Sequence, residues 1–228
     1  MLGKIMAALG RKSPPPAAPA EPVFHQPYAQ AHVNAHYNLL FCDNYALFAE
    51  QPPQEDHPLW HELTAHAPKR SMLNQIAQDA AEDGRLRALA CHRLREIGAP
   101  TPRKLLLGVI VEAQMQHGLD VLAAFADGGV RYLSQSGKVS IFDGPGNPLE
   151  VQAKDLVGAA QTLLNKLGPW HRPRLAPPPP GNIRITFVVS DGLYFGQGAF
   201  ATLQQDVIAG PILAKTTKLL QQVVEPEN

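Results

Sequence analysis

The sequence predicts an α+β fold, in which an antiparallel β-meander of about five or six strands is packed by two amphipathic helices and preceded by a mainly helical N-terminal region. Apolar residues recur with a helical period between residues 71 and 97. From residue 104 the pattern changes to short apolar runs separated by turns that contain glycine. Two later segments, beginning near residues 152 and 211, return to the helical period.

These changes divide the chain into three regions. Residues 1–22 are predicted to be a flexible tail with a short amphipathic helix and a proline-rich linker, residues 23–100 a mainly helical or irregular region, and residues 101–228 an α+β domain. The chain holds 22 prolines among 228 residues, and their runs favour extended polyproline II structure. Whether residues 23–100 fold independently stays open, but their long irregular stretch favours packing on the sheet.

The first twelve residues carry a small amphipathic pattern. At 100° per residue its apolar members share one helix face: Leu2, Ile5, Met6 and Leu9. Lys4 and Arg11 lie opposite. We interpret this face as a docking surface for a protein partner, with possible use at a membrane surface. The alternative is a segment that is disordered by itself, because isolated helices shorter than about 12 residues are marginal in water.

Two helices are predicted ahead of the sheet. Ser71 is the expected N-cap of the first, which covers residues 71–82. The apolar face then turns by about 100° at Gly84, which predicts a kink or a second helix over residues 85–97.

The meander is predicted from four apolar runs at residues 105–113, 119–126, 130–135 and 138–143. Two turns that contain glycine join the last three runs, as in consecutive antiparallel hairpins.

The remaining elements complete the predicted fold. They are a helix over 152–167, a strand over 183–190, a hairpin turn at Asp191-Gly192, a short return strand and a helix opened by Pro211. This order is loosely similar in topology to profilin-like and longin or roadblock modules over residues 104–226, without a shared motif. Such a similarity by itself assigns no function.

Composition excludes some classes of function. Twenty basic and twenty acidic residues cancel, so the chain lacks the charge expected of a nucleic-acid-binding protein. Two distant cysteines make no disulfide framework, and no apolar run is long enough to span a bilayer. The expected location is therefore cytoplasmic, with a membrane-peripheral position as the alternative.

No motif for metal, phosphate or nucleophilic chemistry is present, and no cofactor is predicted. His32 and His36 have the spacing of two ligands on one helix face, but no further ligand pattern accompanies them. Cys91 and His92 would point about 100° apart on a helix, so a dyad between them is not expected.

Two places stand out as candidate binding sites. Arg93 falls on the apolar side of its helix, where we expect a structural pair with Asp120 or Glu112; an anion site is the alternative. The glycine-rich segment 190–198 carries a second set, formed by Asp191, Tyr194 and Phe195. These residues either form the rim of a site for a ligand or partner, or belong to a hairpin without a binding role.

The sequence favours a non-catalytic interaction or scaffold protein that docks a protein partner. A small-ligand sensor with a pocket between sheet and helices is the first alternative. An enzyme is the second, with a site gathered from Asp191, Tyr194, His117 and Arg93.

Overall fold

The computed structural model describes residues 23–50, 59–102 and 104–225. The predicted α+β class is confirmed, because helices precede a six-stranded antiparallel sheet and further helices follow its strands. Element numbers below refer to these described residues.

Among the described residues, five helices precede the sheet: α1 Ala31–Leu39, α2 Tyr45–Ala49, α3 Trp60–Thr64, α4 Arg70–Gln78 and α5 Gly84–Glu96. The predicted break at Gly84 is present. Ser71 is not the N-cap of α4, which begins at Arg70 and has no side-chain cap. The next helix, α5, does have a side-chain N-cap, because the carboxylate of Asp83 accepts from the backbone N–H of Arg85 at 2.7 Å.

Gly84 also lets α5 approach the sheet closely. A Cβ at this position would lie 2.8 Å from Oδ1 of Asp127 and 3.1 Å from Cβ of Phe125. Both residues belong to the end of a strand and its following turn, so the start of α5 sits directly on the sheet.

The sheet strands are β1 Leu106–Met115, β2 Gly118–Phe125, β3 Val130–Leu133, β4 Val139–Phe142, β5 Asn182–Val189 and β6 Gly192–Ala199. Their spatial order is β4-β3-β2-β1-β5-β6, and every neighbouring pair is antiparallel. The meander β1–β4 is therefore extended on its β1 side by the hairpin β5–β6. That hairpin turns at Ser190-Asp191, one residue earlier than predicted, because Val189 pairs with Gly192.

Side chains alternate between the two faces of the sheet. The first face carries Ile110, Val121 and Leu133 and packs against α1–α5. The second face carries Val109 and Ile185 among others and packs against the later helices. Both faces are thus covered by helices, and each has its own apolar core.

Three helices cover the second face: α6 Glu150–Gln161, α7 Phe200–Gln204 and α8 Ala209–Val224. α6 packs on β1 and β2, whereas α8 packs against α6 and α7. The helix predicted over 152–167 in fact ends at Gln161 and tightens into a 3-10 turn at Leu164–Lys166. Lys104 stabilises this ending, since its ammonium donates to the carbonyls of Leu164 at 2.7 Å and Leu167 at 3.1 Å.

Candidate functional site

One concavity of the second face is an apolar groove between the sheet and α8. We call it the α8 groove. Its floor consists of strand residues whose side chains point to the second face: Val111, Ala113, Asp120, Leu122, Tyr132 and Ile183. Its helical wall consists of Leu213, Thr216, Thr217 and Leu220. Met115 and Phe200 lie at its rim and are 48% and 45% exposed.

The groove forms because α6 and α8 cover different parts of the sheet. α6 packs on β1 and β2. The groove lies where the last residues of β1 meet the start of β5, beneath the middle of α8. The small side chain of Ala113 and the absence of one at Gly181 leave space there, and the resulting volume is about 350 Å³.

The wall of the α8 groove is apolar although it includes two threonines. The hydroxyl of Thr216 donates to the carbonyl of Ile212 at 2.8 Å, and that of Thr217 donates to the carbonyl of Leu213 at 2.9 Å. Because both hydroxyls are bonded to their own helix, these residues offer little free polarity to a molecule in the groove.

Asp120 is the one charged side chain among the described residues that line the groove. Its Oδ1 accepts from the backbone N–H of Gln135 at 2.7 Å and from the hydroxyl of Tyr132 at 3.2 Å. These two donors fix the carboxylate against an otherwise apolar surface. A carboxylate in that position would orient a ligand that carries a hydrogen-bond donor.

A second polar cluster lies buried under the first face. Glu112, in the middle of β1, is fully buried and accepts at Oε1 from the hydroxyl of Tyr37 at 2.7 Å. Its Oε2 lies 3.6 Å from the guanidinium of Arg184, on the neighbouring strand. Burial raises the pKa of Glu112 above its usual range, although the Arg184 charge and the Tyr37 hydrogen bond act in the opposite direction.

A further arginine, Arg174, lies in the proline-rich loop of residues 169–181, which precedes β5. Arg174 donates to Oδ2 of Asp43 at 3.0 Å, to Oδ1 of Asn38 at 2.9 Å and to the carbonyl of Val23 at 3.0 Å. Arg184 in turn donates to the carbonyl of Leu175 at 3.2 Å. These contacts fasten the loop and the start of the described chain to the sheet, so we assign the cluster a structural role.

Arg93 has a different partner from the one expected. It donates to Oε2 of Glu96 at 2.6 Å, and its guanidinium lies 3.7 Å from the centre of the Tyr45 ring. The predicted pairing with Asp120 or Glu112 is wrong, because both carboxylates bond to other groups. Arg93 is 3% exposed and also donates to the carbonyl of Ala65, so it joins α5 to α2 and the end of α3.

The predicted rim at 190–198 is split by the sheet. Tyr194 points to the second face, where its hydroxyl donates to Oδ2 of Asp191 at 2.8 Å and its ring lies 4.5 Å from the Lys104 ammonium. Phe195 points to the other face and packs on Trp170 at 5.0 Å between ring centres. Adjacent strand residues cannot share one surface. Asp191 and Tyr194 are therefore brought together, and Phe195 is not.

The residues considered for catalysis do not form one cleft. His117 is exposed in the β1–β2 turn, whereas Asp191 follows β5 at the end of the sheet where β1 begins. Ten residues of β1 separate these ends by about 33 Å. Arg93 is engaged with Glu96, so only Asp191 and Tyr194 meet.

Cys42 and Cys91 are free and buried. Burial raises the pKa of both thiols, that of Cys91 to about 11, which opposes a role as thiolate nucleophiles. Within the described ranges, no group of three histidine, cysteine or carboxylate side chains could hold a metal ion. None of the helices described is both long and apolar enough to cross a bilayer.

The anchors predicted in the N-terminal segment, Leu2, Ile5, Met6 and Leu9, lie outside the described residues. The α8 groove was not predicted as a site, because most of its lining residues are apolar and have the same sequence pattern as core residues. Glu112 and Arg184 were detectable in principle, since each interrupts an apolar strand with a charge.

Comparisons of the chain with protein-family models, with curated proteins and with solved structures gave no match.

Proposed function

We propose that the protein binds a small, largely apolar molecule in the α8 groove, with a hydrogen-bond donor of that molecule placed against Asp120. The observation that carries this proposal is a partly open, apolar space of about 350 Å³ with a single oriented carboxylate. Small-molecule sites in proteins are typically clefts of about 300–1,000 Å³ with apolar walls and a few placed polar groups.

The volume limits the size of the ligand. An apolar cavity of about 150 Å³ holds benzene, so a space more than twice as large accommodates roughly 14 non-hydrogen atoms. The carboxylate limits its chemistry. A primary amine or another cationic donor complements Asp120, whereas a carboxylate head would be repelled.

Fluorescence of 1-aminoanthracene, an apolar amine of about this size, tests the proposal. We expect saturable binding to the full chain and displacement by decylamine more readily than by decanol, with decanoate weakest. Ala113→Phe fills the floor of the groove and should weaken probe binding at least about tenfold, whereas Val207→Phe, at a position 81% exposed and absent from the groove lining, should not.

Asp120→Asn tests the head group. The amide oxygen can still accept from Gln135 and Tyr132, so the local structure is retained while the charge is lost. The preference for decylamine over decanol should then disappear. Probe binding that is indifferent to both Ala113→Phe and Asp120→Asn would refute the proposal.

The docking function predicted from the sequence stays a prediction, together with its protein partner. The two free cysteines support a reducing compartment, and we propose the cytoplasm as the location.

A further inference from the structure

The α8 groove and the N-terminal segment have complementary properties. The groove presents apolar side chains from the sheet and α8, with half-exposed Met115 and Phe200 at its rim. The segment presents apolar residues at positions i, i+3, i+4 and i+7, namely Leu2, Ile5, Met6 and Leu9. That spacing is the anchor pattern of a helix that lays its apolar face into a groove.

We propose that residues 2–9 of this chain dock in the α8 groove and compete there with the small-molecule ligand. The competition rests on the proposed function, because it requires a small-molecule ligand in the groove. The docking itself depends only on the groove and the segment. The segment would act as a tethered internal competitor.

The connecting chain is long enough for this contact. The described chain starts at Val23, whose carbonyl accepts from Arg174 at 3.0 Å. Arg174 precedes Gly181, a residue at the edge of the groove, by seven positions, so the two are at most about 25 Å apart. Residues 10–22 include five prolines, and thirteen residues in polyproline II conformation extend about 40 Å. That length exceeds the gap even after the Arg174 side chain is added.

Charge also favours docking of the N-terminal segment at the α8 groove. Residues 1–20 contain Lys4, Arg11 and Lys12 and no acidic residue, while the single charged residue of the groove lining described above is Asp120. A helix that presents its apolar face to the groove would point Lys4 and Arg11 towards solvent. Asp120, which the docked helix would cover, keeps its hydrogen bonds from the backbone N–H of Gln135 and the hydroxyl of Tyr132.

Tethering makes a weak contact effective. A linker of this length gives an effective concentration in the millimolar range, so an intrinsically weak contact can still occupy the groove most of the time. If the groove is free one-tenth of the time, the apparent dissociation constant of a competing ligand rises about tenfold.

The test uses the full chain and two readouts. In the anchor variant, Leu2, Ile5, Met6 and Leu9 are all changed to serine; in the control variant, Lys4 and Arg11 are changed to glutamine. The first readout is the affinity for 1-aminoanthracene. We expect about tenfold tighter binding to the anchor variant and an unchanged affinity for the control.

The second readout does not require a ligand. Met6→Cys with Met115→Cys places one thiol on the segment and one at the rim, and a short bismaleimide should link them within one chain. Met6→Cys with Val151→Cys is the control, because Val151 is 75% exposed and is not among the groove residues. The link between positions 6 and 115 should be lost when Leu2, Ile5 and Leu9 are also changed to serine.

The outcomes separate the two proposals. Equal probe affinity in all variants, with equal linking at Met115 and Val151, overturns the internal competitor and leaves the proposed ligand site intact. Selective linking to Met115 without any probe binding supports docking and overturns the proposed small-molecule function. Absence of both probe binding and selective linking overturns both.

Discussion

The hydroxyl of Tyr37 donates a 2.7 Å hydrogen bond to Oε1 of Glu112, and both residues are fully buried. The bond joins α1 to β1 across 75 positions of sequence. It places an ionisable carboxyl group inside the core of the first face. The pH dependence of folding should therefore report on this contact.

Glu112→Gln should change how stability depends on pH. Burial raises the folded-state pKa of Glu112, so its stabilising contribution is present below the unfolded pKa near 4.5 and is lost as pH rises through the raised value. The amide does not titrate. The unfolding free energy of the variant minus that of the wild type should accordingly increase with pH from 4 upwards, as measured by urea denaturation at each pH.

Glu150→Gln is the control for that experiment. The pKa of Glu150 is lowered by its hydrogen bond from Lys154, so the corresponding difference should run weakly in the opposite direction. A difference for Glu112→Gln that stays flat with pH would contradict the assignment.

Lys104→Met should destabilise the protein by about 1–3 kcal/mol, because the carbonyls of Leu164 and Leu167 lose a charged donor at the end of α6 and its 3-10 turn. Methionine retains most of the apolar stem that packs near Tyr194. Lys154→Met, which removes an exposed i,i+4 ion pair, should have a much smaller effect, because such a pair is screened by solvent. Equal effects in chemical denaturation would argue against the capping role of Lys104.

Gly84→Ala should cost about 1–3 kcal/mol, since the added methyl would lie 2.8 Å from Oδ1 of Asp127. Gly158→Ala should instead stabilise α6 by up to about 1 kcal/mol. A Cβ at Gly158 meets nothing within 4 Å, and alanine has the higher helix propensity. Thermal unfolding of the two variants provides the comparison, and a neutral Gly84→Ala would show that α5 can shift away from the sheet.

Both native thiols should be inert towards Ellman's reagent at pH 8 in the folded protein and should react together on unfolding. Cys42 and Cys91 are buried, and with a pKa of about 11 only about one part in a thousand of Cys91 is thiolate at that pH. Met115→Cys supplies the control, because this position is 48% exposed and its thiol should react promptly. Rapid modification of either native thiol would indicate local opening of its core.

The sequence predicted the individual strands of the sheet better than it predicted which strands lie side by side. Alternating and continuous apolar runs identify β1–β4 and β5, since these patterns arise within each strand. The placement of β5 beside β1 depends on contacts between distant residues, such as Val111 with Ile185, which no local pattern encodes. The ending of α6 was missed for the same reason, because Lys104 lies about sixty residues from the carbonyls it binds.

The candidate site was less predictable still. The α8 groove is a gap between elements, and residues such as Ala113 and Leu213 carry the same signal whether they fill a core or border a space. For Arg93 the sequence correctly indicated a buried ion pair, but its partner Glu96 lay three residues away rather than on the sheet. The glycine-rich segment predicts a single rim that includes Tyr194 and Phe195, but the alternation of side chains along β6 places them on opposite faces of the sheet.

The seam between β1 and β5 has a consequence for synthesis of the chain. Its pairs run from Ala113 with Ile183 to Leu106 with Val189, which are 70 and 83 positions apart. On the ribosome, β1–β4 can pair long before β5 emerges, and β1, whose first seven residues are all buried in the folded protein, would meanwhile present an unpaired edge. Nascent chains that end within the proline-rich loop of residues 169–181, just before β5, should therefore be the forms most dependent on chaperones.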